Sequence, residues 1–181
     1  GSQVYEEEFS VVACQPGEVP PAHESGKSLG RHLDGCRIGF DLGGSDRKAS
    51  AVIDGKVVFS EEVVWEPRKH SDPAYHYEQI RASLLAAAEK MPRVDAIGGS
   101  SAGIYINNRP MVASLFRGVP AERFHEVRSI FQRLQQEFNV PLEVINDGDV
   151  TALAGAMSLE DDAVLGIAMG TSQAGGYVNP R

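Results

Sequence analysis

The sequence predicts an α/β domain: a mixed sheet whose first three strands run antiparallel and whose later strands alternate with helices. Three observations carry that prediction. β-Prone segments joined by tight turns fill 37–60, apolar residues recur at three- and four-residue steps in 73–91 and 124–138, and short apolar runs stand at 94–97 and 142–145. Consecutive strands followed by strand–helix alternation place helices on a sheet and exclude a bundle or a sandwich.

The 181 residues are 42% hydrophobic, which is enough apolar material to bury a core. Lys and Arg number 17 against 25 Asp and Glu, a formal charge of −8 with the cations scattered, so no nucleic-acid partner is expected. No apolar run approaches the roughly 20 residues that span a bilayer. The start, Tyr5-Glu6-Glu7-Glu8, is acidic where a signal peptide is basic. No membrane partner and a cytoplasmic location are the expectation. Cys14 and Cys36 form no CxxC pair and have no histidine at zinc-ligand spacing, so they read as reduced thiols.

Gly1-Ser2 has the form of a scar left by tag removal, and 1–35 reads as that remnant plus an N-terminal extension and linker rich in Pro, Gly and Ser. Phe9 to Ala13 has the composition of an added strand. The ordered domain is expected from Cys36. Arg37 to Asp41 alternates, with Ile38 and Phe40 on one side; Lys48 to Ile53 and Lys56 to Ser60 flank the hairpin turn Asp54-Gly55, and Val63 to Trp65 can prolong the last strand. Asp72-Pro73 supplies an N-cap and a first-turn proline for a helix running through Tyr77, Ile80, Leu84 and Ala87 to Met91, where Pro92 stops it. Val94 to Ile97 is a strand, and Asn107 to Pro110 is a turn between strands 104–106 and 111–115. Phe124, Val127, Phe131, Leu134 and Phe138 define one helix. Leu142 to Ile145 is a strand and Val150 to Met157 a short helix; Val164 to Met169 and Ala174 to Val178 are strands around Gly170 to Gln173.

Some chemical signals fail on context. Ser25-Gly26-Lys27-Ser28 ends like a phosphate-binding Walker loop, but Pro21 stands where glycine is needed and no strand precedes it. Gly99-Ser100-Ser101-Ala102-Gly103 has nucleophile-elbow spacing, yet a strand, not a helix, follows the serine, and His125 precedes Asp147. The five histidines form no pair at helical spacing and read as surface or loop residues.

Three segments place small or acidic residues at strand ends, where α/β folds put ligand contacts. Asp41 to Lys48 reads equally as a polar hairpin turn or as a glycine turn whose amides approach a phosphate. Asn146-Asp147 is an N-cap or a crevice carboxylate able to act as base. Gly170 to Gly176 is a hairpin loop or a second phosphate contact.

Taken in this order, the three resemble the actin-like ATPase superfamily of sugar kinases, heat-shock chaperones and actin, and most closely its ROK group of sugar kinases and repressors. Phe40-Asp41-Leu42-Gly43-Gly44-Ser45 resembles the group's strand ending in Asp-x-Gly-Gly-Thr, with Ser for Thr. Asn146-Asp147 followed by Gly148 to Gly155 resembles its Asn-Asp and small-residue helix, and 165–176 its second phosphate loop. The resemblance covers 37–178 and implies an actin-like, ribonuclease H-like lobe over 36–158, with 159–181 as the first hairpin of a truncated second lobe. It implies that Asp41 holds Mg²⁺ through water and that Gly43, Gly44, Ser45, Gly170, Thr171 and Ser172 cradle the phosphates of ATP. It implies further that Lys48 adds positive charge, that Asn146 and Gly103 contact a small-molecule sugar, and that Asp147 takes the proton of the attacking hydroxyl.

Ser172 and Gln173 depart from the group's Gly-Thr-Gly, and Ser101-Ala102-Gly103 replaces its Pro-Gly-Pro. In this fold a second lobe holds the adenosine pocket and a His/Cys zinc motif. The expectation is therefore a fragment of an ATP-dependent sugar kinase, inactive alone, with zinc only in that further lobe. The unpaired edges of its last hairpin favour homo-oligomers or self-association. The alternative is a non-catalytic sugar sensor or scaffold on the same fold; a related acyl-activating ATPase or acetyl-hexosamine kinase is a third.

Overall fold

The computed structural model describes residues 2–21, 30, 32–169 and 173–180. The Walker-like run at 25–28 and the candidates Gly170, Thr171 and Ser172 lie outside the described residues.

The main sheet has five strands: β1 (Cys36–Leu42), β2 (Asp46–Ile53), β3 (Lys56–Val64), β4 (Ala96–Ser101) and, later in the chain, Leu142–Ile145. Between these last two, β5 (Ile104–Ile106) and β6 (Arg109–Val112) form a separate hairpin, so Leu142–Ile145 is β7. The order is β3-β2-β1-β4-β7; β1, β2 and β3 pair antiparallel, and β1–β4 and β4–β7 pair parallel. This is the predicted mixed sheet. Strands β8 (Leu165–Met169) and β9 (Gln173–Tyr177) form a second two-stranded sheet.

The helices are α1 (Ser2–Tyr5), α2 (Pro73–Ala88), α3 (Phe124–Arg128), α4 (Ile130–Phe138) and α5 (Asp147–Leu159). Asp72 caps α2, its side chain accepting from the Ala74 amide at 3.1 Å. Ile38, Phe40 and Leu42 of β1 point into the core with Ile80 and Leu84 of α2 and Phe131 and Leu134 of α4. Phe40 stacks on Phe131 with ring centroids 6.0 Å apart.

Four local expectations change. The helix expected over 124–138 breaks at Ser129, whose hydroxyl donates to the Glu126 carbonyl at 2.8 Å while its amide makes a tightened bond to the same oxygen. Its apolar spacing survives because Val127 and Phe131 enter the same core on either side of the break. Strand β4 starts at Ala96 and runs on through Gly98, Gly99, Ser100 and Ser101, residues of poor strand propensity. Tertiary packing overrides propensity here: a Cβ on Gly99 would stand 2.2 Å from the Phe40 ring. The 107–110 turn shrinks to Asn107-Asn108, both at positive φ as a two-residue primed hairpin requires, and Arg109 and Pro110 join β6. Residues 9–13 are in no strand, and Phe9, Val11 and Val12 are exposed.

No helix among the described residues is long and apolar enough to cross a membrane.

Candidate active site

The carboxyl ends of β1, β4 and β7 come together at one end of the sheet, the usual place for ligand contacts in an open α/β sheet. Alternation along β1 buries Phe40 and Leu42 and turns Asp41 to the opposite face, where its register neighbours are Lys48 on β2 and Ser100 on β4. Ser100 Oγ donates to Asp41 Oδ1 at 2.5 Å. Asp41 Oδ2 has no partner among the described residues.

Beyond β1 the chain turns through Gly43-Gly44-Ser45. The Gly43 amide donates to the Asp46 carbonyl at 2.9 Å, and a Cβ on Gly43 would stand 3.0 Å from that oxygen, so the turn is too tight for a side chain. Trp65, the one tryptophan of the chain, fastens it from below: its amide donates to the Ser45 carbonyl at 3.0 Å, and its indole Nε1 reaches the Gly43 and Asp46 carbonyls at 2.9 and 3.0 Å. Carbonyls are thereby consumed, while the amides of Gly44 and Ser45 have no acceptor among the described residues. Free amides beside a glycine turn suit an anion.

Two predicted residues of this turn have local partners. Ser45 Oγ donates to Asp46 Oδ2 at 3.0 Å, and Lys48 Nζ lies 3.4 Å from Asp46 Oδ1. The hydrogen bond with Asp46 is the main cause of a raised Lys48 pKa, and Asp41 is the smallest.

Asn146 and Gly103 are brought into contact. Asn146 caps α5, its Oδ1 accepting from the Gly148 amide at 2.8 Å, and its Nδ2 donates to the Gly103 carbonyl at 2.8 Å. Both amide ends therefore hold backbone, the N-cap role being realised in full. Gly103 has φ +140° and a Cβ there would stand 2.5 Å from the Val112 carbonyl oxygen, so only glycine fits. Asp147 opens α5, which begins three residues before its expected start, and its Oδ1 is 3.2 Å from the Gly148 amide. Burial first, and the Asp147 charge second, push the Asp149 carboxyl up, although much of its surface is open to solvent.

Residues absent from the sequence expectation complete this end. Tyr105 on β5 buries its hydroxyl, which has no hydrogen-bond partner among the described residues, and burial is the main cause of its raised pKa. Ser101 Oγ also donates to the Leu42 carbonyl at 3.3 Å, and β5 follows it, so the elbow spacing is incidental. Arg68 lies in a single 3₁₀ turn, Pro67–Lys69, against Gly44. Trp65 carried a sequence signal as a large apolar residue at the end of the third strand, and Tyr105 lies in the expected strand 104–106, but no sequence pattern marked Arg68.

The hairpin β8–β9 packs on α5 backbone to backbone. A Cβ on Gly166 would stand 2.2 Å from the Ala152 amide nitrogen, and one on Gly176 2.4 Å from Asp149 Cα.

His76 corrects the reading of the histidines as surface groups: it is fully buried on α2, with Nε2 2.9 Å from the Pro67 carbonyl. Burial is the main cause of its lowered pKa. The unfolded chain then binds a proton at His76 that the folded chain refuses, so stability falls as pH drops below about 6.5 and levels off below the depressed folded value. Within that window the expected loss is about 1.4 kcal/mol per pH unit. Thermal melts of wild type and His76→Gln between pH 7.5 and 5 check this, since carboxylates titrate mostly below about pH 5; equal slopes refute it.

Among the described residues no three or more His, Cys, Asp or Glu side chains form a metal cage. One carboxylate with an open oxygen, as at Asp41, suits Mg²⁺ held through water and substrate phosphates, which needs no such cage. A cavity of about 820 Å³ lies away from this end, on the open sheet face, among Arg37, Gly39, Ala96, Gly98 and Glu143.

No model of a known protein family matches the sequence, and no curated protein matches it. Solved structures do. The inorganic polyphosphate/ATP-glucomannokinase of Arthrobacter sp. strain KM superposes with TM-score 0.61 at 23% identity, over 80% of this chain and 58% of that one. Lmo2764 of Listeria monocytogenes, described as a putative N-acetylmannosamine kinase, gives 0.56 at 22%, over 80% and 47%. A ROK-family transcriptional regulator, a homologue of the E. coli MLC protein, gives 0.62 at 17%, over 81% and 37%. The chain thus spans between 37% and 58% of the length of these structures.

Proposed function

We propose that this chain, which has the actin-like ATPase fold of the ROK sugar kinases and repressors, supplies the phosphate turn and the general base of an ATP-dependent sugar kinase. One observation supports this above the others: at the carboxyl ends of β1, β4 and β7 a glycine turn with open amides stands with two carboxylates, Asp41 on a strand and Asp147 at a helix N-terminus.

In this reading a sugar hydroxyl oxygen forms a bond to the γ-phosphorus of ATP, the bond from that phosphorus to the β–γ bridging oxygen breaks, and ADP departs. Asp147 takes the hydroxyl proton through a hydrogen bond that tightens in the transition state. The open amides of Gly44 and Ser45 meet phosphate oxygens, with Gly43 setting the turn and Gly170, Thr171 and Ser172 completing the cradle. Asp41 holds Mg²⁺ through water; when bound, the ion neutralises charge on the β- and γ-phosphate oxygens. Asn146 keeps one N–H and one lone pair beyond the bonds it makes to backbone, and these contact the sugar with the Gly103 turn. Lys48 adds positive charge. The 36–158 segment is the first lobe in this reading, and the adenosine pocket belongs to a second.

The test is ADP formation from Mg-ATP by the full-length protein with a panel of hexoses and N-acetylhexosamines. Sugar-dependent ADP for at least one of them upholds the kinase. Sugar binding by calorimetry without turnover overturns it in favour of a sugar sensor or scaffold. Gln173 favours that second reading: it is a strand residue paired with Met169, where added glycine would free the backbone for phosphate.

The exposed face of β8–β9 carries Leu165, Ile167, Met169 and Tyr177, each more than half exposed, beside strand edges unpaired among the described residues. The 181-residue chain is expected to self-associate through this face. Light scattering should show mass rising with concentration in wild type and staying near monomer in Ile167→Lys; a monomeric wild type at high concentration refutes it.

A further inference from the structure

We propose that Arg68 is a phosphate-binding residue of the Gly43-Gly44-Ser45 turn. The proposal rests on reading that turn as the phosphate cradle and adds a cation that the sequence pattern does not contain.

The first observation is the space at Gly44. A Cβ there would stand 2.5 Å from Arg68 Nη2, 2.9 Å from Cζ and 3.2 Å from Nε, so the guanidinium lies against the bare α-carbon. The φ of Gly44 is outside the left-handed range, unlike that of Gly55 or Gly103. Backbone conformation therefore does not require glycine at 44, and a side chain there would displace the guanidinium from the turn.

The second observation is that Arg68 has no anion among the described residues. Its Nε is buried without a hydrogen-bond partner there, and no described carboxylate pairs with it, in a chain of net charge −8. Three nearby cations are engaged: Lys69 with Glu66, Lys48 with Asp46, and Arg47 with Ser83 and Gln79. A half-buried, unpaired guanidinium is costly, and an anion at its open nitrogens recovers that cost.

The third observation is rigidity. Pro67 is buried and its carbonyl meets His76 Nε2 at 2.9 Å. Gly118 closes the other side, where a Cβ would stand 2.7 Å from the Arg68 carbonyl oxygen. Trp65, three residues before Arg68, is bonded to three carbonyls of the turn. Guanidinium and open amides are thus held on one unit before any ligand arrives. The planar fork of arginine matches two oxygens of one phosphate or of adjacent phosphates. The ligand class is a di- or triphosphate chain, gripped by Arg68 on one side and by the Gly44 and Ser45 amides on the other.

The test follows the Gly43 and Gly44 amide resonances of the 181-residue chain during titration with sodium tripolyphosphate. Wild type should show saturable shifts. Arg68→Gln should bind roughly tenfold to a hundredfold more weakly, the loss of one charge-assisted contact, and Arg68→Lys should fall between them. Gly44→Ala keeps the arginine but puts a methyl where its guanidinium lies, and should weaken binding like Arg68→Gln. Arg68→Gln and Gly44→Ala binding as tightly as wild type overturns the role of Arg68 and leaves the cradle standing. A folded wild type with no shift at Gly43 or Gly44 overturns the cradle and the proposal together. Should Arg68→Gln fail to fold, Gly44→Ala and Arg68→Lys decide.

Discussion

Asp147→Asn is expected to lower kcat for sugar phosphorylation by about 10²- to 10⁴-fold, the range for removal of a general base. The substitution is nearly isosteric. Asn146, not Asp147, supplies the cap that holds α5, and the Gly148 amide contact at 3.2 Å can be kept by the new amide oxygen. Helix and turn therefore stay in place and only proton acceptance is lost. KM for Mg-ATP should change little, because the proposed function gives the phosphates to the 43–45 turn. Initial rates of ADP formation in the full-length protein, with circular dichroism as a folding control, check this. Activity equal to wild type would remove Asp147 from the chemistry and leave the fold untouched.

Gly166→Val should detach the β8–β9 hairpin without unfolding the main sheet. Its Cβ would stand 2.2 Å from the Ala152 nitrogen and 2.5 Å from Ala152 Cα, backbone atoms of α5 that cannot turn aside as a side chain can. Overpacking of this kind costs about 1–3 kcal/mol. All of it falls on one interface, which Gly176 and Gly148 also line: a Cβ on Gly148 would stand 2.8 Å from Ala174 C. Hydrogen exchange should accelerate roughly tenfold to a hundredfold across 165–177, as such a local opening energy requires. The amides of β1 and β4 should exchange as in wild type. Uniform acceleration, or none, would refute an independent docking interface. If Thr171 touches ATP, the variant should also raise KM for ATP while Asp147 stays in place.

Most elements were legible because their causes are local. Asp54-Gly55 adopts positive φ at both positions, as a two-residue hairpin turn demands, and β2 and β3 follow from it. Asp72-Pro73 starts α2 and Asn146 caps α5 through bonds to amides two residues away. The break at Ser129 was hidden for the opposite reason. Apolar spacing reports which residues face the core, and that face continues unbroken from Val127 to Leu134 while the backbone bonding does not.

The candidate site divides along the same line. Asp41, the 43–45 turn, Gly103, Asn146 and Asp147 stand at strand ends and a helix start, positions that short-range pattern marks. The contact of Asn146 with Gly103, 43 residues apart, was not readable from either. Nor were the Trp65 bonds to the turn, the burial of His76, or Ser100 on Asp41 across 59 residues.

By itself the sequence determined the strand and helix identities, the mixed order of the sheet and the end of it where acids and glycines gather, because alternation, caps and turn residues act over a few positions. Only the tertiary structure decided why Gly99 must be bare beneath Phe40, that the Arg68 guanidinium occupies the space a side chain at Gly44 would take, and that its Nε is buried without a partner among the described residues. Those facts are steric and electrostatic relations between residues brought together by strand pairing and helix packing, and no periodicity in a chain records them.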